Sequence, residues 1–235
     1  MLYSKEVITI QNTEKEIFLY LKKTRNHSFR ITANKISLTL PNVYKNPEII
    51  NKHKNELLSQ IKERLHSSPQ WLVTTRLLDQ ESISIFNDNF KIYRYANQEN
   101  KIGIDFKLKT ISLPENYSEK DKFKLAKKII IHYQILVERR IRQLNKLTID
   151  KTINYVDIKN NHSSWGLCSS KGEITISLNT LFAPIWVIDY IIIHELCHLV
   201  HHDHSTQFWH LVERYYPKYK TAKKFLKEKG MKLAF

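Results

Sequence analysis

The chain has 235 residues, with 38 Lys+Arg against 23 Asp+Glu, a formal net charge of +15 and 42% hydrophobic residues. That much buriable surface excludes a disordered basic tail and is enough for one sizeable core or two small ones. Two cysteines, Cys168 and Cys197, exclude a disulfide framework. The longest apolar stretch, 181–200, is broken by Asp189, His194 and Glu195, and the first residues lack a signal-peptide core, so a cytoplasmic protein with no membrane span is expected.

In chain order, residues 6–9, 17–21, 28–31 and 36–40 alternate or cluster apolar residues over strand lengths, and Pro41 and Pro47 close that run. Residues 47–65 predict a helix, with Ile50, Leu57, Leu58, Ile61 and Leu65 at helical spacings. Four further short strands are predicted at 82–86, 90–95, 102–107 and 110–113, separated by Asn, Asp and Gly turns. Ser118, with Asp121 three residues on, caps a predicted helix running to about 146, amphipathic with a solvated basic face. Strands follow at 155–159 and 173–178, and Gly166 and Gly172 around Cys168 predict a hairpin with a close backbone approach. The expected fold class is α+β, a β-rich N-terminal lobe (1–118) followed by a helical lobe (119–235), with no internal repeat.

The positive charge is unevenly placed. Residues 172–213 contain no Lys or Arg, carry −5 through Glu173, Asp189, Glu195, Asp203 and Glu213, and hold six of the eleven histidines, leaving +20 for the rest of the chain. A divalent cation site needs this pattern, because a fixed cation beside the ion opposes its binding. Within the segment, Pro184 and the apolar residues from Ile185 to Leu199 predict a buried helix carrying His194-Glu195-Leu196-Cys197-His198. Two imidazoles four residues apart project from one helix face and can share one zinc ion, while the intervening Glu195 can serve as general base.

A catalytic zinc needs a third protein ligand. His202 would lie about 12 Å along the axis from His194 if the helix continued, and His201 would be turned to the flank of the stripe. The third ligand is therefore expected beyond a chain reversal. His204 is placed there, since Ser205 is a plausible cap for a new helix at 206–215, and Glu213 on that helix is the rival. Cys197 reads as a packing residue; Cys168 either packs or lines the site.

The ordered set Ser164-Trp165-Gly166-Leu167-Cys168-Ser169, Ile176-Ser177-Leu178-Asn179, Asp189 to Leu199 with its H-E-x-x-H, His204-Ser205 with Phe208-Trp209, and Pro217-Lys218-Tyr219-Lys220 resembles the signatures of the YgjP-like zincin metallopeptidases, relatives of SprT-like proteins. Residues 24–41 also resemble the opening strands of that family, so the likeness is expected to span the whole chain, with the two lobes forming one continuous family domain. The resemblance implies a zincin-like catalytic lobe, His194, His198 and His204 as zinc ligands, and Glu195 as the catalytic carboxylate. The expected activity is zinc-dependent hydrolysis of an amide bond in a peptide or protein. By analogy with zincins, strand 173–178 would be the edge strand that aligns an extended substrate. His162, Tyr190, Tyr215 and Tyr216 are the candidate oxyanion donors.

Two rival readings exist. One is hydrolysis of a nucleotide phosphoanhydride, an anionic small molecule drawn in by the +20 outside the site. The other is a nucleic-acid-associated protein, because 214–235 carries eight Lys/Arg against one Glu. Phe225, Leu226 and Leu233 interrupt that tail, which favours a packed helix with a basic outer side over a nucleic-acid arm.

Overall fold

The computed structural model describes residues 2–10, 13–31, 35–67, 77–96, 102–161, 164–233 and 235. It is an α+β protein of two compact units, Met1–Arg76 and Leu77–Phe235. The division expected at 118/119 falls inside the second unit. There, strands between 82 and 114 and the helix after them share one core with everything that follows. Among the described residues, no helix is long and apolar enough to cross a membrane.

The first unit contains β1 (Leu2–Ile10), β2 (Thr13–Lys22), β3 (Ser28–Ile31), β4 (Lys35–Pro41) and α1 (Pro47–Ser67). Its sheet has the order β1-β2-β4-β3, with β2 and β4 parallel. Alternation places Ile17 and Leu19 of β2 and Ile36, Leu38 and Leu40 of β4 in a core with Ile50, Leu57 and Ile61 of α1. The apolar stripe of α1 covers one face of the sheet, so this unit has its own core.

The second unit begins with β5 (Ser82–Ile85), β6 (Asp88–Tyr95), β7 (Gly103–Asp105), β8 (Thr110–Pro114) and α2 (Glu119–Leu147). Its first sheet has the order β5-β6-β8-β7, again with the second and fourth strands parallel. This is the plan of the first unit repeated, contrary to the expectation of no repeat. Ile10 pairs with Thr13 and Ile85 with Asp88; Glu16 pairs with Lys35 and Lys91 with Thr110. Both sets are offset by 75 residues. At that offset Ile17 matches Ile92, and Ile36-Ser37-Leu38 matches Ile111-Ser112-Leu113. So few identities are hard to see without the strand registers.

Phe86 and Asn87, between β5 and β6, both have positive φ, the conformation a two-residue hairpin turn needs. Ser118 and Asp121 form a reciprocal capping box at the start of α2. Leu125, Ile129, Tyr133, Val137 and Ile141, each four residues apart, make its buried stripe. Phe123, at 66% exposure, lies off that stripe.

A second sheet follows, built from β9 (Tyr155–Lys159), β10 (Gly166–Cys168) and β11 (Glu173–Ser177) in the order β10-β11-β9. Strand β11 is central, antiparallel to β10 and parallel to β9. The segment 173–178 is therefore not an edge strand, since it has a strand on each side. The β9 edge is closed by Gln134 of α2, whose amide donates to the Val156 carbonyl (2.8 Å) and accepts from the Ile158 amide (3.2 Å). Among the described residues, no strand pairs with the outer edge of β10.

After a 3-10 turn (Leu178–Phe182) come α3 (Ile185–Cys197), α4 (Thr206–Tyr215) and α5 (Tyr219–Lys229). Helix α3 is buried nearly all round, as its run of Ile, Val and Leu requires. It is tied to α2 by a fork from Arg140 to Asp189, Nε to Oδ1 at 2.8 Å and Nη2 to Oδ2 at 2.6 Å. Asp189 is thus neutralised by a cation 49 positions away and is not spare charge for an ion. Replacing Arg140 by Ala strands this partly buried carboxylate, and thermal or urea unfolding should show a loss of about 1–3 kcal/mol. An unchanged midpoint would mean that water replaces the fork without cost.

Candidate metal centre

Helix α3 is capped by His198, whose backbone N–H bonds back to the Glu195 and Leu196 carbonyls. The chain then reverses, and Ser205 accepts from the Phe208 amide to start α4. This local order places His204 back over the end of α3. One potential ligand nitrogen from each of His194, His198 and His204 lies within 4.8 Å of the others, and the two Nε2 atoms of His194 and His204 are 3.1 Å apart. Ligand atoms 2.0–2.1 Å from a tetrahedral ion would be about 3.3 Å apart, so the spacing fits a shared ion.

The protonation pattern fits as well. The Nδ1 of His198 faces the His201 carbonyl at 2.9 Å, so Nδ1 carries the proton and Nε2 keeps its lone pair. The His194 ring is driven down to about 3, first by burial and then by His198, His204 and Lys223, so it is neutral at physiological pH. Its Nδ1 is buried with no hydrogen-bond partner. Among the described residues, the rival ligand Glu213 and the remaining histidines stand outside the group.

Glu195 follows His194 on α3 and is only 6% exposed. Burial pushes its carboxyl up to about 8, which makes the carboxylate a stronger base than an exposed one. One wall of its pocket is backbone. A Cβ added to Gly166 would come within 2.7 Å of Glu195 Cγ and Oε1. The sequence predicted a close approach at this glycine, but not what approaches it.

Strand β10 borders the site, and among the described residues its outer edge pairs with no other strand. The Ser177 amide bonds to the Trp165 carbonyl and the Ser169 amide to the Glu173 carbonyl, both at 2.9 Å, so residues 165, 167 and 169 turn their backbone groups toward β11. By alternation, those of Gly166 and Cys168 point outward. Burial, and secondarily the Glu195 charge, push the half-buried Cys168 thiol up to about 11, and Cys197 is fully buried; neither belongs to the histidine group.

Aromatic rings surround the histidines. Trp209 stacks on His204 with centroids 5.7 Å apart, and Tyr190 lies 5.9 Å from His194. The Tyr216 hydroxyl is committed to the Trp186 carbonyl at 2.6 Å, and His162 lies outside the described residues. Sequence reading missed Lys223, whose ammonium sits 4.0 Å over the Trp209 ring. The available signal was its place one turn after Tyr219 on a short helix.

A family model described as "YgjP-like, metallopeptidase domain" matches residues 25–229. This chain belongs to the YgjP-like family. The match begins after β2, so it takes in β3, β4 and α1 of the first unit and nearly all of the second. A solved structure, the metallopeptidase zymogen of Pyrococcus abyssi abylysin, is 29% identical and covers 37% of this chain and 89% of its own, with a TM-score of 0.34. No curated relative matches the YgjP-like chain. A metallopeptidase domain and a three-histidine group able to hold a divalent metal are thus found in the same molecule.

Proposed function

We propose that this protein is a zinc-dependent peptidase, with His194, His198 and His204 as ligands and Glu195 as general base. The observation that carries the reading is the convergence of three imidazole nitrogens beside a buried carboxylate in a chain of a metallopeptidase family. A three-histidine set suits zinc, which when bound supplies the Lewis acidity that polarises a peptide carbonyl and makes water acidic enough to deprotonate near neutral pH.

The chain's own residues do the rest. Glu195 takes the proton of the attacking water, its basicity raised by burial, and later delivers it to the leaving amide nitrogen. The His201 carbonyl fixes the His198 ring by accepting from Nδ1. The outward backbone groups of Gly166 and Cys168 pair with an extended peptide and lay it alongside Glu195. Tyr190, beside His194 and, among the described residues, with no hydrogen bond to its hydroxyl such as Tyr216 makes, is the oxyanion donor in this reading.

The test is metal content and peptide hydrolysis measured together for the wild type, His204→Ala and Glu213→Ala. One zinc per chain is expected in the wild type and in Glu213→Ala. It should be lost from His204→Ala, and hydrolysis should disappear with a chelator and return with zinc. Zinc kept by His204→Ala but lost from Glu213→Ala would overturn the ligand set. Hydrolysis of nucleoside triphosphates but of no peptide would overturn the peptidase reading.

A further inference from the structure

No Lys or Arg occurs between 172 and 213, yet the fold brings one to the histidine group from α5. Tyr219 and Lys223 are one turn apart on that helix and meet the same ring. Tyr219 stacks on Trp209 at 5.5 Å, and Lys223 Nζ stands 4.0 Å over it. Trp209 in turn lies 5.7 Å from both His204 and His194. The ammonium is therefore one aromatic ring away from two of the three imidazoles.

A cation over an aromatic face is held in place without being neutralised. Among the described residues, no carboxylate forms an ion pair with Lys223, although the neighbouring Lys224 reaches Glu228 on the same helix. A positive charge beside a divalent cation site opposes the ion, so holding it there is unfavourable until an anion arrives. Of the two acids adjacent in sequence to these histidines, Glu195 is enclosed against Gly166 and Asp203 accepts from the Ser205 amide, so the anion is one that arrives with the substrate.

We propose that Lys223, steadied by Trp209 and Tyr219, binds a carboxylate of the peptide substrate and makes the enzyme select peptides that present one near the scissile bond. This deepens the peptidase reading and rests on it. The carboxylate could be the free C-terminus or a Glu side chain, and the experiment separates the two.

The experiment uses the full chain, zinc-loaded and carrying Glu195→Gln so that bound peptide is not cleaved. Calorimetric titration compares one short peptide in four forms: free C-terminus, C-terminal amide, and each with an internal Glu or Gln. At least one carboxylate form should bind about 10-fold more tightly than its neutral partner, and the preferred form identifies the source. In Lys223→Met the ratio should fall to about 1, in Lys223→Glu it should invert, and in Lys223→Arg it should persist, all with unchanged zinc content. Equal affinities for all four forms, or a ratio that survives Lys223→Met, would overturn the assignment and leave the peptidase reading standing. Absence of any peptide binding by the zinc-loaded protein would overturn both.

Discussion

Glu195→Gln is expected to give a folded protein with full zinc content and peptide turnover reduced by about 10²- to 10⁴-fold, the usual contribution of a positioned general base. Gln keeps the shape of the side chain, so the contact with the Gly166 backbone is preserved and only the base is removed. The size of the effect follows from the pocket. A carboxylate whose basicity is raised by burial to about 8 has both the enclosure and the proton affinity the role needs, and an amide has no proton affinity to offer. Single-turnover rates at matched zinc occupancy are the measurement. A variant retaining more than about a tenth of wild-type turnover would remove Glu195 from the mechanism.

Gly166→Ala is the second large effect, and it acts without touching a reacting group. The new methyl would meet Glu195 at 2.7 Å from Cγ and Oε1 and 2.9 Å from Cδ. Neither side retreats freely, because β10 is laddered to β11 and Glu195 sits in the best-buried helix of the unit. The carboxylate therefore moves, and a displacement near 1 Å from productive geometry costs about 10²-fold in rate. Overpacking should also cost about 1–3 kcal/mol of stability. The expected pattern is a fall in kcat with zinc retained and the melting temperature moderately lowered. Wild-type kcat in Gly166→Ala would show that the carboxylate tolerates displacement and that the tight contact serves packing alone.

Features written in neighbouring residues were legible in the sequence. The Ser118 and Ser205 caps, the stripe of α2 and the reversal that carries His204 back over α3 all depend on local spacing. Features depending on residues far apart were not. Strand 173–178 looks like a good edge candidate until β10 and β9 are found on its two sides. Asp189 counts toward the negative charge of the histidine segment until Arg140 is seen to hold it. Lys223 reads as one more solvated lysine because nothing in its neighbourhood names Trp209 as the ring beneath it. The boundary near 118 was drawn where strands give way to a long helix, but the core runs through that point.

The repeated β-sheet and helix plan also bears on how the chain avoids misfolding. Two tandem copies with the same strand order can exchange strands while the polypeptide is being made, and the product would satisfy most backbone pairings. Divergence at matched registers penalises that product. The buried Leu19 of β2 corresponds, 75 residues on, to the exposed Arg94 of β6. Placing β6 in the first sheet would drive a guanidinium into the core built around Ile36 and Leu38, at a cost of several kcal/mol. A single charged residue, at the exposed end of the row that carries Phe90 and Ile92 and bonded there to the Leu78 carbonyl, thus disfavours the exchanged pairing.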